Sequence, residues 1–250
     1  MSEQRQSMPN VPEDYYRRLR DVEERHWWSV GMREIGASLL DGRLHGALLD
    51  AGCGTGGLLA WARARGGFER LCGVDVGSEA VELARLTVPD AEIHVAPLHA
   101  LPFAESAFHV AVLADVLQHV AEQEVGDGLR ELRRVLRPDG VLLVRTNGSR
   151  RGRRVRADWR LYDERTLADE LTRAGFVVER VTHANMVLSS FGREPAPPTE
   201  SSCGIPAPAG RLRSAVGSTL LAAEAWYLRA PGRSLPRGHT LLAVATPAGS

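Results

Sequence analysis

The chain has 250 residues, 44% of them hydrophobic, enough for a packed core and a length suited to one large α/β domain with decoration, or a core plus a small cap. Its 31 basic and 31 acidic side chains cancel to a formal net charge of zero, so no global charge draws it to nucleic acid or to a membrane surface. No apolar run is long enough to span a bilayer, and the three cysteines, Cys53, Cys72 and Cys203, lack C-x-x-C spacing, which argues for reduced thiols, a cytoplasmic protein and no structural zinc or other metal site.

Met1 to Pro12 is polar and has no apolar centre of the kind a secretory signal needs; it reads as disordered. From Glu13 to Leu40 the apolar residues Tyr15, Tyr16, Leu19, Val22, Trp27, Trp28, Met32, Ile35 and Leu39 recur at spacings of three and four, a helical pattern. Two adjacent tryptophans beside His26 and Arg33 are unusual for a plain surface helix. The segment is read either as an amphipathic helix packed on a sheet or as a lid.

The stretch from Leu48 to Gly57, L-L-D-A-G-C-G-T-G-G, organises the chain. Ala47 to Asp50 reads as a buried strand, followed by a glycine-rich turn that opens a helix at Leu58. Glycines at 52, 54 and 56 permit positive φ and the close approach of a ligand to bare backbone. Asp50, at the mouth of the turn, can accept hydrogen bonds from a ligand's amine or hydroxyls, or from loop amides. Gly52, Gly54 and Gly57 also fit the dinucleotide pattern G-x-G-x-x-G. An acid in this position repels a pyrophosphate held at a helix N-terminus and favours a cationic ligand.

Leu71 to Asp75 is a second buried strand ending in an acid, roughly twenty residues beyond the glycines, the distance at which a carboxylate grips a ribose. Ser78 reads as the N-cap of the next helix. Ala91 to Val95 is the third strand, followed by Ala96-Pro97-Leu98-His99 and Leu101-Pro102-Phe103. Phe108 to Ala114 has the near-continuous apolar character of a central parallel strand. It runs into Asp115-Val116-Leu117-Gln118-His119-Val120, outside the strand carboxyl ends where ligands of open α/β sheets sit.

Gln123 to Leu136 is an amphipathic helix, Pro138-Asp139-Gly140 a tight turn, and Val141 to Val144 the fifth strand. The basic run Arg150 to Arg156 follows it and belongs near the cleft rim. It is either a solvated loop or a clamp for an acceptor's phosphate or carboxylate; no interleaved aromatics mark it as a nucleic-acid surface. Asp163 to Ala174 is a capped helix ending at Gly175. Phe176 to Thr182 and His239 to Ala245 are strands, separated by a Pro/Gly/Ser-rich loop over Phe191 to Gly210 and a helix over Arg211 to Arg229. Loops this long are often lids.

Taken in order, these motifs resemble the class I S-adenosylmethionine (SAM) methyltransferases, of the bacterial small-molecule type. Asp50-x-Gly52-x-Gly54-x-Gly56 resembles their motif I. Leu101-Pro102-Phe103, Leu117-x-His119 and the run from Leu132 to Val144, L-R-x-x-L-R-P-D-G-x-L-x-V, resemble later motifs. Pro236-Arg237-Gly238-His239-Thr240-Leu241 is weakly similar to a segment near the end of such chains. The main match, Leu48 to Val144, covers about two-fifths of the sequence, and the order of several motifs separates a methyltransferase from a dinucleotide oxidoreductase better than any single one.

The resemblance implies a Rossmann-like three-layer α/β sandwich with a seven-stranded, mostly parallel sheet, an antiparallel last strand and a helical cap. It divides the chain into cap helices over 1–45 and a SAM-binding domain over 46–250, in which 189–236 is an inserted lid. SAM would lie on Asp50, Ala51, Gly52, Cys53 and Gly54, with its ribose on Asp75 beside Val76 and its adenine at Pro97 and Leu98. Its methionine amine would meet Ala114 and Asp115, and its carboxylate Arg33, with Trp28 or Trp27 walling the site. Pro97 replaces an aspartate that accepts the adenine amino group in the family. His119 is the first candidate base near the transferred methyl and His26 a distant second.

The implied reaction is methyl transfer from SAM to a small-molecule acceptor by in-line displacement, leaving S-adenosylhomocysteine. Two alternatives are a methyltransferase fold that binds SAM for a non-methylating reaction and a binding module without catalysis. No nucleic-acid or membrane partner is expected, and the apolar cap helices offer a surface through which two copies can pair.

Overall fold

The structure is a computed structural model that describes residues 26–148, 160–190 and 210–249, together with Tyr16, Arg20 and Glu23. The N-terminal tail, the basic run Arg150 to Arg156 and the loop over 191–209 lie outside the described residues. Seven strands form one sheet: β1 (Gly46–Ala51), β2 (Phe68–Asp75), β3 (Glu92–Val95), β4 (Phe108–Ala114), β5 (Leu136–Asn147), β6 (Phe176–Ala184) and β7 (Thr240–Pro247). Their spatial order is β3-β2-β1-β4-β5-β7-β6. β1 to β5 are parallel where they pair, and β7 runs antiparallel to both β5 and β6. The expected Rossmann-like sandwich is therefore present, with its antiparallel last strand.

The helices are α1 (Trp27–Leu39), α2 (Gly57–Arg65), α3 (Ser78–Thr87), α4 (Glu122–Val135), α5 (Glu164–Arg173), α6 (Met186–Ser190) and α7 (Arg211–Arg229). Side-chain alternation along each strand divides the core into two layers. Leu49, Ala111, Leu113, Leu142, Val144, Ala243 and Ala245 face α4 and α5, which contribute Leu129, Leu132, Leu167 and Leu171. Leu48, Val110, Val112, Val141, Leu143 and Val244 face α1, α2, α3 and α7, which contribute Ile35, Leu59, Val81 and Leu228. Both faces of the central strands are covered, which is why those strands read as continuous apolar runs.

Three local readings need correction. The helical pattern over Glu13 to Leu40 is broken at His26, which is extended (φ −70°, ψ 129°) and accepts the Trp28 N–H at its Nδ1 (3.3 Å), capping α1. Tyr16, Arg20 and Glu23 are helical on the other side of that break. Pro138-Asp139-Gly140 lies inside β5 as an irregularity: Phe108 pairs with Leu136, but Val110 pairs with Val141. The N-cap of α3 is Gly77, one residue earlier than expected, because the Asp75 carboxylate accepts the Gly77 N–H (2.9 Å).

Helices α1 and α7 pack closely on each other. Gly31 of α1 leaves room for Leu221 of α7, and Gly217 of α7 leaves room for the Trp27 ring. A Cβ at either glycine would drive the helices apart. α7 is also tied to the sheet. Its buried Glu224 accepts the backbone N–H groups of Asn185 (2.6 Å) and Met186 (2.8 Å), just beyond β6. Truncating Glu224 leaves those half-buried amides without their acceptor. Glu224→Ala should lower the unfolding free energy by about 3 kcal/mol, read by urea denaturation. An unchanged midpoint would show that α7 does not depend on this tie.

Candidate functional site

The site lies at the carboxyl edge of the sheet, where the strand order reverses between β1 and β4, the place where open α/β sheets bind ligands. Parallel pairing of β1 with β2 sets Asp50 opposite Gly73 and Ala51 opposite Val74, so Asp50 and Asp75 leave neighbouring strands at the same end. Between them the chain turns on Gly52 (φ 84°), Gly54 (φ 52°) and Gly56 (φ 86°). A Cβ at Gly52 would collide with Val116 of the loop after β4, so glycine is required there for close approach as well as for φ. The Gly52 and Cys53 N–H groups donate to Val74 O (2.7 and 2.9 Å), fastening the turn to β2.

Each expected cofactor residue can now be located. Asp50 is 3% exposed. Burial, with Glu23 and Asp75 close by, pushes its carboxyl up to about 8 against the opposing pull of Arg145 and Arg33. Ala51 is buried. The Cys53 side chain turns into the core near Gly73 and Leu59, and burial pushes its thiol up, so Cys53 offers a ligand only backbone. Asp75 accepts Gly54 N–H (3.0 Å) and Gly77 N–H (2.9 Å); it braces the glycine turn and retains lone pairs for further donors. Val76, beside it, is 42% exposed, an apolar side chain left at the site edge.

Pro97 and Leu98 begin the turn after β3, and Ala96 N–H donates to Asp75 O (3.0 Å). Leu98 lies against Gly128 of α4, so its side chain serves helix packing. Ala114 ends β4. Asp115 takes a left-handed backbone (φ 58°), and its Oδ2 accepts from two Arg145 nitrogens (2.6 and 3.1 Å), a charge-assisted pair. His119 is exposed on the turn that follows, its N–H donating to Val116 O (2.8 Å). The tryptophans divide their work: the Arg145 guanidinium lies over the Trp28 ring at 5.3 Å, whereas Trp27 faces α7. Among the described residues no group of three or more His, Cys, Asp or Glu is arranged to hold a metal.

Four participants were not foreseen. Glu23 accepts the Thr55 hydroxyl (2.7 Å) and the Gly57 N–H, with Arg33 and Arg145 within electrostatic reach; burial raises its carboxyl while those contacts pull it down. Arg145, at the carboxyl end of β5, is a charged residue closing an apolar strand, the same signal that marked Asp50 and Asp75. The Tyr16 hydroxyl lies beside Gly77 and Asp75, and burial together with the Asp75 charge raises it to about 12. Gln118 is buried; it donates to Asp115 O (3.0 Å), accepts the Thr146 hydroxyl (2.9 Å) and receives Arg160 N–H at its carbonyl (3.1 Å), locking the loop after β4.

The result is three carboxylates, Glu23, Asp50 and Asp75, gathered with two guanidiniums, Arg33 and Arg145. Burial also lowers the Arg33 guanidinium, and Glu23 opposes that change. The set suits a ligand with positive charge near Asp50, hydroxyls near Asp75 and a carboxylate near Arg33. In the folded protein Asp50 holds its proton up to about pH 8, whereas the unfolded chain releases it near the ordinary value of 3.8. Unfolding thus releases a proton across this window, and stability falls as pH rises through it. Asp50→Asn should unfold at least ~1 kcal/mol less readily than the wild type at about pH 8, with the two converging below about pH 4. Equal urea midpoints at the higher pH would show Asp50 ionised in the fold.

Comparison with known proteins agrees with this geometry. Residues 49–144 match the family described as "Methyltransferase domain". The chain is 40% identical over 111 residues to a 37.1 kDa protein of transposon TN4556 in Streptomyces fradiae (42% of this chain, 31% of that protein). It is 27% identical over 131 residues to a demethylmenaquinone methyltransferase of Chlorobaculum parvum (52% and 53%). The chain thus spans about a third to a half of the length of these curated relatives. Among solved structures it shares its fold with the Burkholderia thailandensis 1,6-didemethyltoxoflavin-N1-methyltransferase, crystallised with S-adenosylhomocysteine: TM-score 0.58, 20% identity, 100% of this chain and 98% of that one. The motif I turn, its paired acids and strands β1 to β4 all lie within or next to that family match, so residues 49–144 carry the similarity to a methyltransferase domain.

Proposed function

We propose that the protein transfers a methyl group from SAM to a small-molecule acceptor. The observation that carries this reading is the bracketing of the positive-φ glycine turn by Asp50 and Asp75 on adjacent strands, with Arg33 alongside. Asp50 faces the ammonium and sulfonium, Asp75 the ribose hydroxyls, and Arg33 the methionine carboxylate. The backbone of Ala51, Gly52, Cys53 and Gly54 lies along the amino-acid end, Val76 and the Leu98 backbone amide flank the adenosine, and Ala114 and Asp115 complete the ammonium site. The protein's main contribution is to hold the acceptor nucleophile and the methyl in line. For a hydroxyl acceptor, His119 takes the proton; a carbon or amine acceptor has no such requirement.

The named methyltransferases to which the chain is similar support a small acceptor: 1,6-didemethyltoxoflavin by name in one and demethylmenaquinone in the other. We read residues 1–45 and the insertion over 189–236 as a cap on a 46–250 domain, with α1 and α7 walling the acceptor space. No described helix is long and apolar enough to cross a membrane, and Cys53 and Cys72 are free thiols; we place the protein in the cytoplasm. Leu212, Val216 and Trp226 are exposed on α7 and form the surface by which two copies would pair. Pro97 supports a second reading, SAM binding for a non-methylating reaction, because it offers the adenine amino group no side-chain acceptor.

Calorimetry tests the cofactor site. S-adenosylhomocysteine should bind the full chain, and Asp75→Ala and Arg33→Ala should each weaken it at least tenfold, about 1.4 kcal/mol. Absence of binding at millimolar ligand would favour a module without catalysis. Incubation with SAM and a small-molecule extract should yield S-adenosylhomocysteine and a methylated product in equal amounts by mass spectrometry; binding without that pair of products selects the second reading. With a hydroxyl acceptor, His119→Ala should lower kcat by about a hundredfold and leave the cofactor Kd unchanged. Unaltered turnover would remove His119 as the base.

A further inference from the structure

Tyr16, Arg20 and Glu23 are helical and spaced four and three apart, so they share one helix face. The ends of that face touch the two ends of the cofactor site. At one end the Tyr16 hydroxyl lies beside Gly77 and Asp75. At the other the Glu23 carboxylate accepts the Thr55 hydroxyl at 2.7 Å and the Gly57 N–H in the first turn of α2, with Arg33 in its field. A Cβ on Gly57 would stand 2.8 Å from the Glu23 Cβ and 3.4 Å from an Arg33 terminal nitrogen. Glu23 and Arg33 therefore meet over the same small patch of backbone.

These are the chemical groups the cofactor itself presents: a hydroxyl towards Asp75, and a carboxylate towards a hydroxyl, a helix-start amide and a guanidinium. We propose that Glu23 and Tyr16 are built-in competitors of SAM, Glu23 standing in for the methionine carboxylate and Tyr16 for a ribose hydroxyl. This inference rests on the reading of the site as one for SAM. The donors at Thr55 and Gly57 serve one carboxylate at a time, so the cofactor must displace Glu23 to use them. Displacement moves a charged side chain out of a buried, hydrogen-bonded position. Glu23 and Tyr16 thus set cofactor affinity, yielding to a ligand that supplies the same groups together with a cation for Asp50.

The competition is measurable with the full chain. Calorimetric Kd values for S-adenosylhomocysteine and for 5′-methylthioadenosine, which lacks the amino-acid end, are compared in wild type, Glu23→Ala and Glu23→Gln. Both variants should bind S-adenosylhomocysteine at least fivefold more tightly than wild type, with a smaller gain for 5′-methylthioadenosine, because only the former uses the vacated donors. Unchanged or weaker S-adenosylhomocysteine binding overturns the proposal, and so does an equal gain for both ligands, which would mean that Glu23 merely holds the helix in place. If the alanine variant does not fold, the glutamine variant decides; failure of both to fold makes Glu23 a structural residue and also overturns it. The Asp75→Ala control separates the two levels. Asp75-dependent binding by wild type without a gain in the Glu23 variants removes this inference alone, whereas no binding by any of the proteins removes the cofactor reading and this one with it.

Discussion

Three acids and two arginines share one buried edge of a parallel sheet, and the site follows from how that charge is balanced. Charges taken out of water must be paired or neutralised. Arg145 is shared between the Asp115 carboxylate and the Trp28 ring, and Arg33 is in the electrostatic field of Glu23 and Asp50. Asp75 spends hydrogen bonds on the glycine turn. Asp50 is left most heavily desolvated beside two like charges, and its carboxyl is raised accordingly. A ligand bearing a cation relieves that situation and a diphosphate aggravates it, which is the physical basis for a sulfonium nucleoside over a dinucleotide.

The sheet creates this arrangement by topology. Parallel neighbours bring β1 and β2 to the same edge with their acids in step, and the reversal between β1 and β4 opens the crevice beside them. β4 and β5 deliver Asp115 and Arg145 to the opposite wall. Gln118 fixes the loop between them by satisfying groups from three separate segments. On one face of the sheet α1 and α7 pack into the core and onto each other through paired glycines, Glu224 ties α7 to the chain beyond β6, and Glu23 and Tyr16 reach the glycine turn and Asp75.

Much of this was legible in the chain. Asp50 and Asp75 stood out because each is a lone acid ending an apolar run, and the glycines between them because their spacing demands positive φ. β4 and α7 fall where their composition puts them, since a buried strand and a helix with a long apolar side carry their signal within a few residues. The break at His26 was hidden, because apolar spacing continues across it while a single ring nitrogen caps the next helix. The irregularity in β5 was hidden for a similar reason: Pro138-Asp139-Gly140 has turn chemistry, yet pairing on both sides keeps it within the strand.

Sequence alone determined the sheet class, the glycine turn and the two acids that bracket it, because each rests on residues adjacent in the chain whose backbone preferences and burial are local. Tertiary structure alone decided that Glu23, Tyr16 and Arg145 belong to the site, that Leu98 packs on α4, and that only one of the two tryptophans faces Arg145. Glu23 sits in a charge-rich stretch, and nothing near it in sequence distinguishes it from a solvated acid. Its meaning comes from Thr55 and Gly57, more than thirty residues away, and a partner at that distance is chosen by packing, not by pattern.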